Sequence, residues 1–147
     1  MITIQSPTGF ASRGRGVLAT HPGIEASPNA DLLAVCLEAC ADCAQACLSC
    51  ADACLGEPNV AELVSCIRFN QDCADICTAT FSVLSRQLVQ AREVDRALLE
   101  ACLLACRKCG DECARHAGHM EHCRVCAAAC EACASACESL LTNVPRA

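Results

Sequence analysis

The chain has 147 residues, a formal net charge of −6 at pH 7 and 54% hydrophobic residues, but only 2% aromatic residues. This length allows one domain with a core of its own, and an acidic chain with so few aromatic side chains is not expected to bind nucleic acid. Charged and amide residues interrupt every apolar run before the ~18 residues that a membrane span needs. The 18 cysteines exceed the share that usually marks a disulfide or metal scaffold. The composition predicts a soluble protein whose function depends on its thiols.

The first 27 residues differ in composition from the rest and are rich in Ser, Gly and Pro. Their longest apolar run beside the basic residues is 17–19, which is shorter than the ~7–15-residue apolar core of a secretory signal. Arg13 and Arg15 are separated by Gly14, so they do not form a twin-arginine pair. We therefore expect residues 1–27 to be a flexible tail and the protein to be cytoplasmic, where cysteines are more often metal ligands or catalytic thiols than disulfides.

Two helices are predicted in the first half of the remaining chain. The first, 28–55, begins after the capping hydroxyl of Ser27 and ends at Gly56. The second, 59–86, begins with a capping-box pattern formed by Asn59 and Glu62. Because a single helix over 59–117 would be about 90 Å long, we expect a turn near 87–94.

Two further helices are predicted at 95–117, with Asp95 as the N-cap, and at 119–142, separated by Gly118. Residues 143–147 are then a short C-terminal tail. Short connections make neighbouring helices antiparallel. The predicted fold class is therefore all-α: an antiparallel four-helix bundle over residues 28–142 with a Cys-lined core.

The cysteines recur at helical spacing and form an internal repeat. In the first, third and fourth predicted helices they alternate steps of three and four residues, so each set lies on one face of its helix. In an ordinary bundle Leu or Ile would occupy these inward positions. The four sets, in chain order, are Cys36, Cys40, Cys43, Cys47, Cys50 and Cys54; Cys66, Cys73 and Cys77; Cys102, Cys106, Cys109 and Cys113; and Cys123, Cys126, Cys130, Cys133 and Cys137.

Several roles that need no metal fit this pattern less well. A buried free thiol can act as a small hydrophobe, but 18 of them exceed what packing requires. Disulfides within a helix are disfavoured because Cβ atoms at i,i+3 and i,i+4 lie about 5–6 Å apart, whereas a disulfide needs about 3.5–4.5 Å. The C-x-x-C pairs would need a βαβ setting for thioredoxin-like chemistry, and no segment resembles a strand. A thiol redox protein and a purely structural bundle stay as alternatives.

Metal binding is the favoured role, and the thiolate charge indicates the ion. Thiolates select Cu(I), zinc or iron–sulfur clusters, and the tight C-x2-C-x2-C loops typical of such clusters are missing. Zinc takes four ligands, so it would leave roughly ten buried negative charges uncompensated. About one Cu(I) per thiolate brings the core near neutrality. We predict multiple Cu(I) ions per chain, held by C-x-x-x-C pairs such as Cys36/Cys40, with a zinc-thiolate buffer as the alternative.

The residues beyond the cysteines predict two different bundle ends. One end is expected to be an apolar plug, and the other a polar mouth for copper entry and exit, since imidazole, thioether and carboxylate are weaker copper ligands than thiolate. His122 fits this mouth less well because its neighbour Cys123 has the inward phase. The alternatives are a helix cap for Glu62 and solvated turn positions for the three histidines. The plug comprises Leu32, Leu33, Leu84, Leu88, Leu98, Leu99, Leu140 and Leu141; the mouth comprises Cys54, Glu62, Cys66, Cys113, His116, His119, Met120 and Cys123.

The cysteine faces, the density of C-x-x-x-C pairs and the H-x-x-H-M run from His116 to Met120 resemble the bacterial copper storage proteins, in particular their cytosolic branch. The resemblance covers roughly residues 28–142. It implies storage of Cu(I) by many core thiolates, a mouth that contains His and Met, and assembly into a homotetramer. Storage needs no catalysis, so we do not expect an enzyme, and a copper chaperone is a candidate donor. Phe69, Asn70 and Phe81 lie near positions where further cysteines would fit.

Overall fold

The structure, a computed structural model, describes residues 12–143 and consists of helices and short connections in this range. The four long helices form a ring in which each one packs against two neighbours. Together with their short connections, this arrangement confirms the predicted all-α, antiparallel four-helix bundle. In chain order the helices are α1 (Arg13–Ala19), α2 (Ala30–Leu55), α3 (Val64–Leu84), α4 (Arg92–His116) and α5 (Glu121–Asn143), with 3-10 turns at Ile24–Ala26 and Val60–Leu63.

The helix ends differ from the predicted ones where side-chain caps were expected. Asn29, not Ser27, is the N-cap of α2. The Asn59 side-chain amide donates a hydrogen bond to the Glu62 carboxylate at 3.4 Å, and Glu62 lies within the 3-10 turn that follows Asn59, in place of a capping box. Asp95 is not a cap, because α4 begins earlier and holds this carboxylate in its first turn, where it interacts favourably with the helix dipole.

Part of the segment that we expected to be a flexible tail is helical. Helix α1 begins at the cap Ser12, whose side-chain oxygen accepts a hydrogen bond from the Arg15 amide at 3.1 Å. Leu18 and Ile24 are 6% and 1% exposed, and the buried Arg15 forms an ion pair with Glu38 of α2. These contacts dock residues 12–26 on the bundle. The rest of both predicted tails, residues 1–11 and 144–147, lies outside the described residues.

One end of the bundle is closed by leucines, as predicted. Leu33, Leu84, Leu99 and Leu140 are buried and line a single small cavity of about 60 Å³. The half-buried Leu32, Leu98 and Leu141 lie beside them in sequence.

The prediction that Leu88 belongs to the plug is wrong. It is 65% exposed because α3 ends at Leu84 and Leu88 lies in the connection to α4. Gln87 is buried at this end instead, and its side-chain amide donates a hydrogen bond to the Leu84 carbonyl at 2.8 Å.

Two of the helices, Ala30–Leu55 and Glu121–Asn143, are long and apolar enough to cross a membrane, judged by length and composition alone. Much of their apolar character comes from cysteine and alanine on the faces that pack inside the bundle. The same composition therefore accounts for core helices of a bundle.

Candidate metal centre

The sulfur atoms lie inside the bundle because of their spacing along each helix. Steps of three and four residues keep successive cysteines on one face, and α2 to α5 turn these faces toward each other. As a result every one of the 18 cysteines is at most 2% exposed, and all of them are free thiols. The core predicted from the sequence is therefore observed: sulfur occupies the positions that hydrocarbon side chains usually fill.

The closest sulfur neighbours belong mostly to different helices. The Sγ atoms of Cys73 and Cys106 lie 3.7 Å apart, and those of Cys40 and Cys133 also lie 3.7 Å apart. Of the predicted C-x-x-x-C pairs, those that form sulfur–sulfur hydrogen bonds of at most 4.0 Å in the part of the chain that the structure describes are Cys43/Cys47 at 3.8 Å and Cys73/Cys77 at 3.9 Å. Positions four residues apart on one helix have their Cβ atoms about 5–6 Å apart. Most of the short sulfur–sulfur contacts therefore join different helices across the core.

Several groups of four side chains bring all their ligand atoms within 4.8 Å of one another. The groups share members: Cys43, Cys47, Cys130 and Cys133 each belong to two of them. The inner part of the core is therefore a connected network of sulfurs, unlike a set of separate four-ligand sites, whereas the group that contains His122 shares no member with the other groups named here. The groups include Cys40, Cys102, Cys133 and Cys137; Cys43, Cys47, Cys73 and Cys130; Cys43, Cys77, Cys106 and Cys133; Cys47, Cys109, Cys126 and Cys130; and Cys50, Cys54, His122 and Cys123.

Two thiols at the mouth end, Cys54 and Cys123, are held in their neutral form. Burial raises the pKa of Cys54 to about 12 and that of Cys123 to about 11, since a low-dielectric environment disfavours the thiolate. At the plug end, the hydrogen bond with Cys137 and burial raise the pKa of Cys36. These thiols therefore carry protons at neutral pH until a cation replaces them.

Asn70 interrupts the cysteine face of α3. It is fully buried at the inward position between Cys66 and Cys73. Its Oδ1 accepts hydrogen bonds from the thiols of Cys109 at 3.2 Å and Cys126 at 3.0 Å, while its Nδ2 donates to the Cys66 carbonyl at 2.8 Å.

This amide separates two sets of sulfurs. The mouth-side set is Cys50, Cys54, Cys66, Cys113 and Cys123, and the other thirteen cysteines form the inner set. Within residues 12–143, each sulfur–sulfur hydrogen bond of at most 4.0 Å, from Cys50/Cys123 at 3.8 Å to Cys66/Cys113 at 3.7 Å, joins two members of the same set. The hydrogen bonds of Asn70 to thiols of both sets bridge the gap.

The predicted mouth residues are placed at one end of the bundle with different degrees of burial. Met120 is 7% exposed. The His116 side chain is 20% exposed, and its Nε2 lies 3.3 Å from Glu112 Oε1. His119 and Glu62 are exposed to solvent, and the hydrogen bond that the structure gives the Glu62 carboxylate is the one from Asn59.

His122 is the histidine that fits the predicted mouth least well by its helical phase. In the structure, however, it lies beside the sulfurs. Its Nδ1 lies 3.4 Å from Cys50 Sγ and 3.6 Å from Cys123 Sγ. Because α5 begins at Glu121, the ring lies in the first turn of the helix and reaches sideways toward α2. It completes a group of four ligand atoms with three cysteines of the mouth-side set.

Comparison with known sequences identifies the family. Residues 29–142 match the sequence model of the family described as copper storage protein. The chain belongs to this copper storage protein family. A Bacillus subtilis relative, the uncharacterized cysteine-rich protein YhjQ, is 39% identical over 94 residues, which make up 64% of this chain and 82% of the relative.

Solved copper storage proteins share the fold. The Streptomyces lividans protein Ccsp, loaded with 10 copper equivalents, is 53% identical with a TM-score of 0.85 over 88% of this chain and 98% of that one. A Streptomyces lividans cytosolic copper storage protein with five coppers is 59% identical, with a TM-score of 0.75 over 76% of this chain and 93% of that one. A histidine-to-alanine variant of Ccsp is 57% identical, with a TM-score of 0.77 over 78% of this chain and 96% of that one.

Proposed function

We propose that this member of the copper storage protein family stores Cu(I) in the cytosol through many core thiolates. The observation that carries the proposal is the core of 18 buried, reduced sulfurs. Thiolate is the protein ligand that favours Cu(I), and about one univalent ion per thiolate leaves little net charge in the core. The copper-loaded Streptomyces lividans relatives support the same ion.

Sequestration accounts for the thiols better than catalysis does. A thiol enzyme needs an accessible cysteine whose pKa is lowered toward neutrality. In this chain every cysteine is buried and at most 2% exposed, so none is accessible to a substrate. We therefore infer that the protein binds and releases copper without a catalytic cycle.

Zinc is the second candidate, because the sulfur separations of 3.7–4.0 Å also suit tetrahedral sites with Zn–S bonds of about 2.3 Å. Anaerobic titration of the reduced protein against a chromophoric chelator separates the two ions. A storage protein takes up Cu(I) to more than ten ions per chain, close to about one per thiolate. Saturation at a few Cu(I) ions rules out storage, and tight binding of about four Zn²⁺ in preference to copper supports the zinc buffer.

The proposed ligands are the 18 cysteines, with weaker groups at the mouth. His116, His119, Met120 and Glu62 are proposed to bind copper transiently as it passes in or out. Met120 is buried and its carbonyl accepts a hydrogen bond from the Cys123 amide at 3.1 Å, which supports a role close to the core. The exposed His119 and Glu62 are suited to first contact with the ion.

The double substitution His116→Ala with His119→Ala is expected to slow copper uptake and removal several-fold without changing the amount bound at saturation. The two imidazoles are weak ligands on the path of the ion, so their loss affects the rate more than the capacity. Stopped-flow transfer from a coloured Cu(I) chelator measures both quantities. His21→Ala is the matched control, because His21 lies in the N-terminal segment, where its Nδ1 accepts a hydrogen bond from the Gly23 amide. Equal rates in the double variant and the control would remove the mouth assignment.

Replacing Asn70 by cysteine is expected to raise the copper capacity by about one ion per chain, because the new sulfur would join the mouth-side and inner sets. Thr78→Cys, which adds a thiol on the exposed side of α3, is the matched control and is expected to leave the capacity unchanged. The same competition titration measures both variants. A gain in both variants, or in neither, contradicts the proposed gap at Asn70.

A homotetramer and a copper-chaperone donor complete the proposal. Helix α3 offers exposed apolar side chains for contacts between subunits, including Val64 at 65% and Phe81 at 39% exposure. Sedimentation equilibrium with and without copper tests the assembly, and transfer from a Cu(I)-loaded chaperone tests the donor.

A further inference from the structure

We propose that Glu57 is a positioning residue for the mouth: it orients the His122 imidazole so that Nδ1 faces the sulfurs of Cys50 and Cys123. The inference rests on the proposed copper storage function. It concerns a carboxylate with no sulfur neighbour of its own in the part of the chain that the structure describes.

The position of Glu57 follows from how α2 ends. Gly56 caps the helix, and the Glu57 amide donates to the Cys54 carbonyl at 3.2 Å, so the chain turns immediately after the last cysteine of α2. This turn brings the Glu57 side chain toward the start of α5, where its Oε1 lies 3.0 Å from His122 Nε2. The two side chains are 31% and 26% exposed, so the contact is partly shielded from water.

The contacts on the two ring nitrogens favour the same tautomer. A carboxylate accepts hydrogen bonds, so Glu57 favours the imidazole with its proton on Nε2. The other nitrogen then has a lone pair directed at Cys50 and Cys123, at 3.4 and 3.6 Å, where a thiol proton can be accepted or a metal ion bound. A carboxylate on the far nitrogen of a ligating imidazole fixes the ring and increases its basicity.

His116 provides an internal comparison. It also pairs with a carboxylate, Glu112, at 3.3 Å, but both residues lie on α4 and the structure gives the imidazole no sulfur neighbour within residues 12–143. Glu57 is therefore distinguished by linking one end of α2 to a histidine that contacts sulfurs.

The test compares Glu57→Ala, Glu57→Gln and the control Glu112→Ala in the reduced full-length protein. Long-range ¹H–¹⁵N NMR spectra of the imidazoles identify the tautomer before copper is added. The His122 Nδ1 signal then reports copper binding at this group during a competition titration with a Cu(I) chelator. Far-UV circular dichroism checks that the helices are retained.

We expect wild-type His122 to carry its proton on Nε2, and Glu57→Ala to populate both tautomers and weaken copper binding at Nδ1 by about tenfold, the lower end of the effect of such partners. Glu57→Gln recovers most of the loss, since its amide oxygen still accepts from Nε2–H, and Glu112→Ala has no effect on His122. An unchanged tautomer and affinity in Glu57→Ala, or an equal loss in Glu112→Ala, overturns the proposal. The total capacity from the same titration tests storage separately: a wild-type capacity of only a few ions contradicts storage, whatever Glu57 does.

Discussion

The affinity of the copper storage core for Cu(I) is expected to fall about tenfold for each unit by which the pH is lowered from about 8 to about 6. Burial raises the pKa of Cys54 to about 12 and of Cys123 to about 11, so both thiols are protonated throughout this range. Each copper that binds a thiolate must displace a proton, and a lower pH favours the protonated, copper-free form. Loading therefore releases about one proton per copper.

Two measurements check this dependence. Competition with a chelator of known protonation constants gives the affinity at each pH, and a pH-indicator dye in weak buffer counts the protons released during loading. The control is the chelator without protein, whose affinity for Cu(I) changes little over this pH range. An affinity that stays constant over this range, with no proton release, would show that the core thiols are already ionised without copper.

The triple substitution Cys43→Ala, Cys47→Ala and Cys130→Ala is expected to reduce the copper capacity by about a third. These three sulfurs lie within 4 Å of one another and are shared between groups of four ligand atoms. Their removal therefore takes away bridging positions in addition to three ligands. Alanine is the best helix former, so the bundle is expected to stay helical.

The matched control is Cys36→Ala, Cys54→Ala and Cys137→Ala, which removes three sulfurs near the two ends of the cysteine faces. Its capacity is expected to fall by about a sixth, in proportion to the ligands lost. Inductively coupled plasma mass spectrometry after removal of excess copper measures both variants, with circular dichroism as the check on folding. Equal losses in the two variants would mean that the sulfurs act as independent sites and not as a shared network.

The cysteine spacing was enough to predict the bundle and its sulfur core. Steps of three and four residues place Cys36 to Cys54 on one face of one helix, and this inference needs no knowledge of neighbouring helices. The leucines that close one end follow from the same phase, except for Leu88, which lies past the last turn of α3. The predicted helix ends were less accurate. A residue such as Asn59 or Asp95 caps a helix only where the local backbone geometry allows it, and the residue type alone does not determine that geometry.

Features that depend on contacts between distant segments were not predicted. Sulfur pairs such as Cys40/Cys133 arise from how helices cross, which the spacing along one helix does not determine. The docking of α1 depends on Leu18 and Ile24, two apolar residues too far apart to form a pattern. The approach of His122 to Cys50 depends on the turn before α5, and the pairing with Glu57 on the turn after α2.

Anomalous diffraction at the copper edge, from crystals of the reduced protein saturated with Cu(I), tests the central claim most directly. We expect copper peaks along the inside of the bundle, from the Cys54 and Cys123 end to the Cys36 and Cys137 end, each within bonding distance of cysteine sulfur. Peaks confined to histidines and carboxylates on the surface, around an interior without metal, would contradict copper storage in the sulfur core.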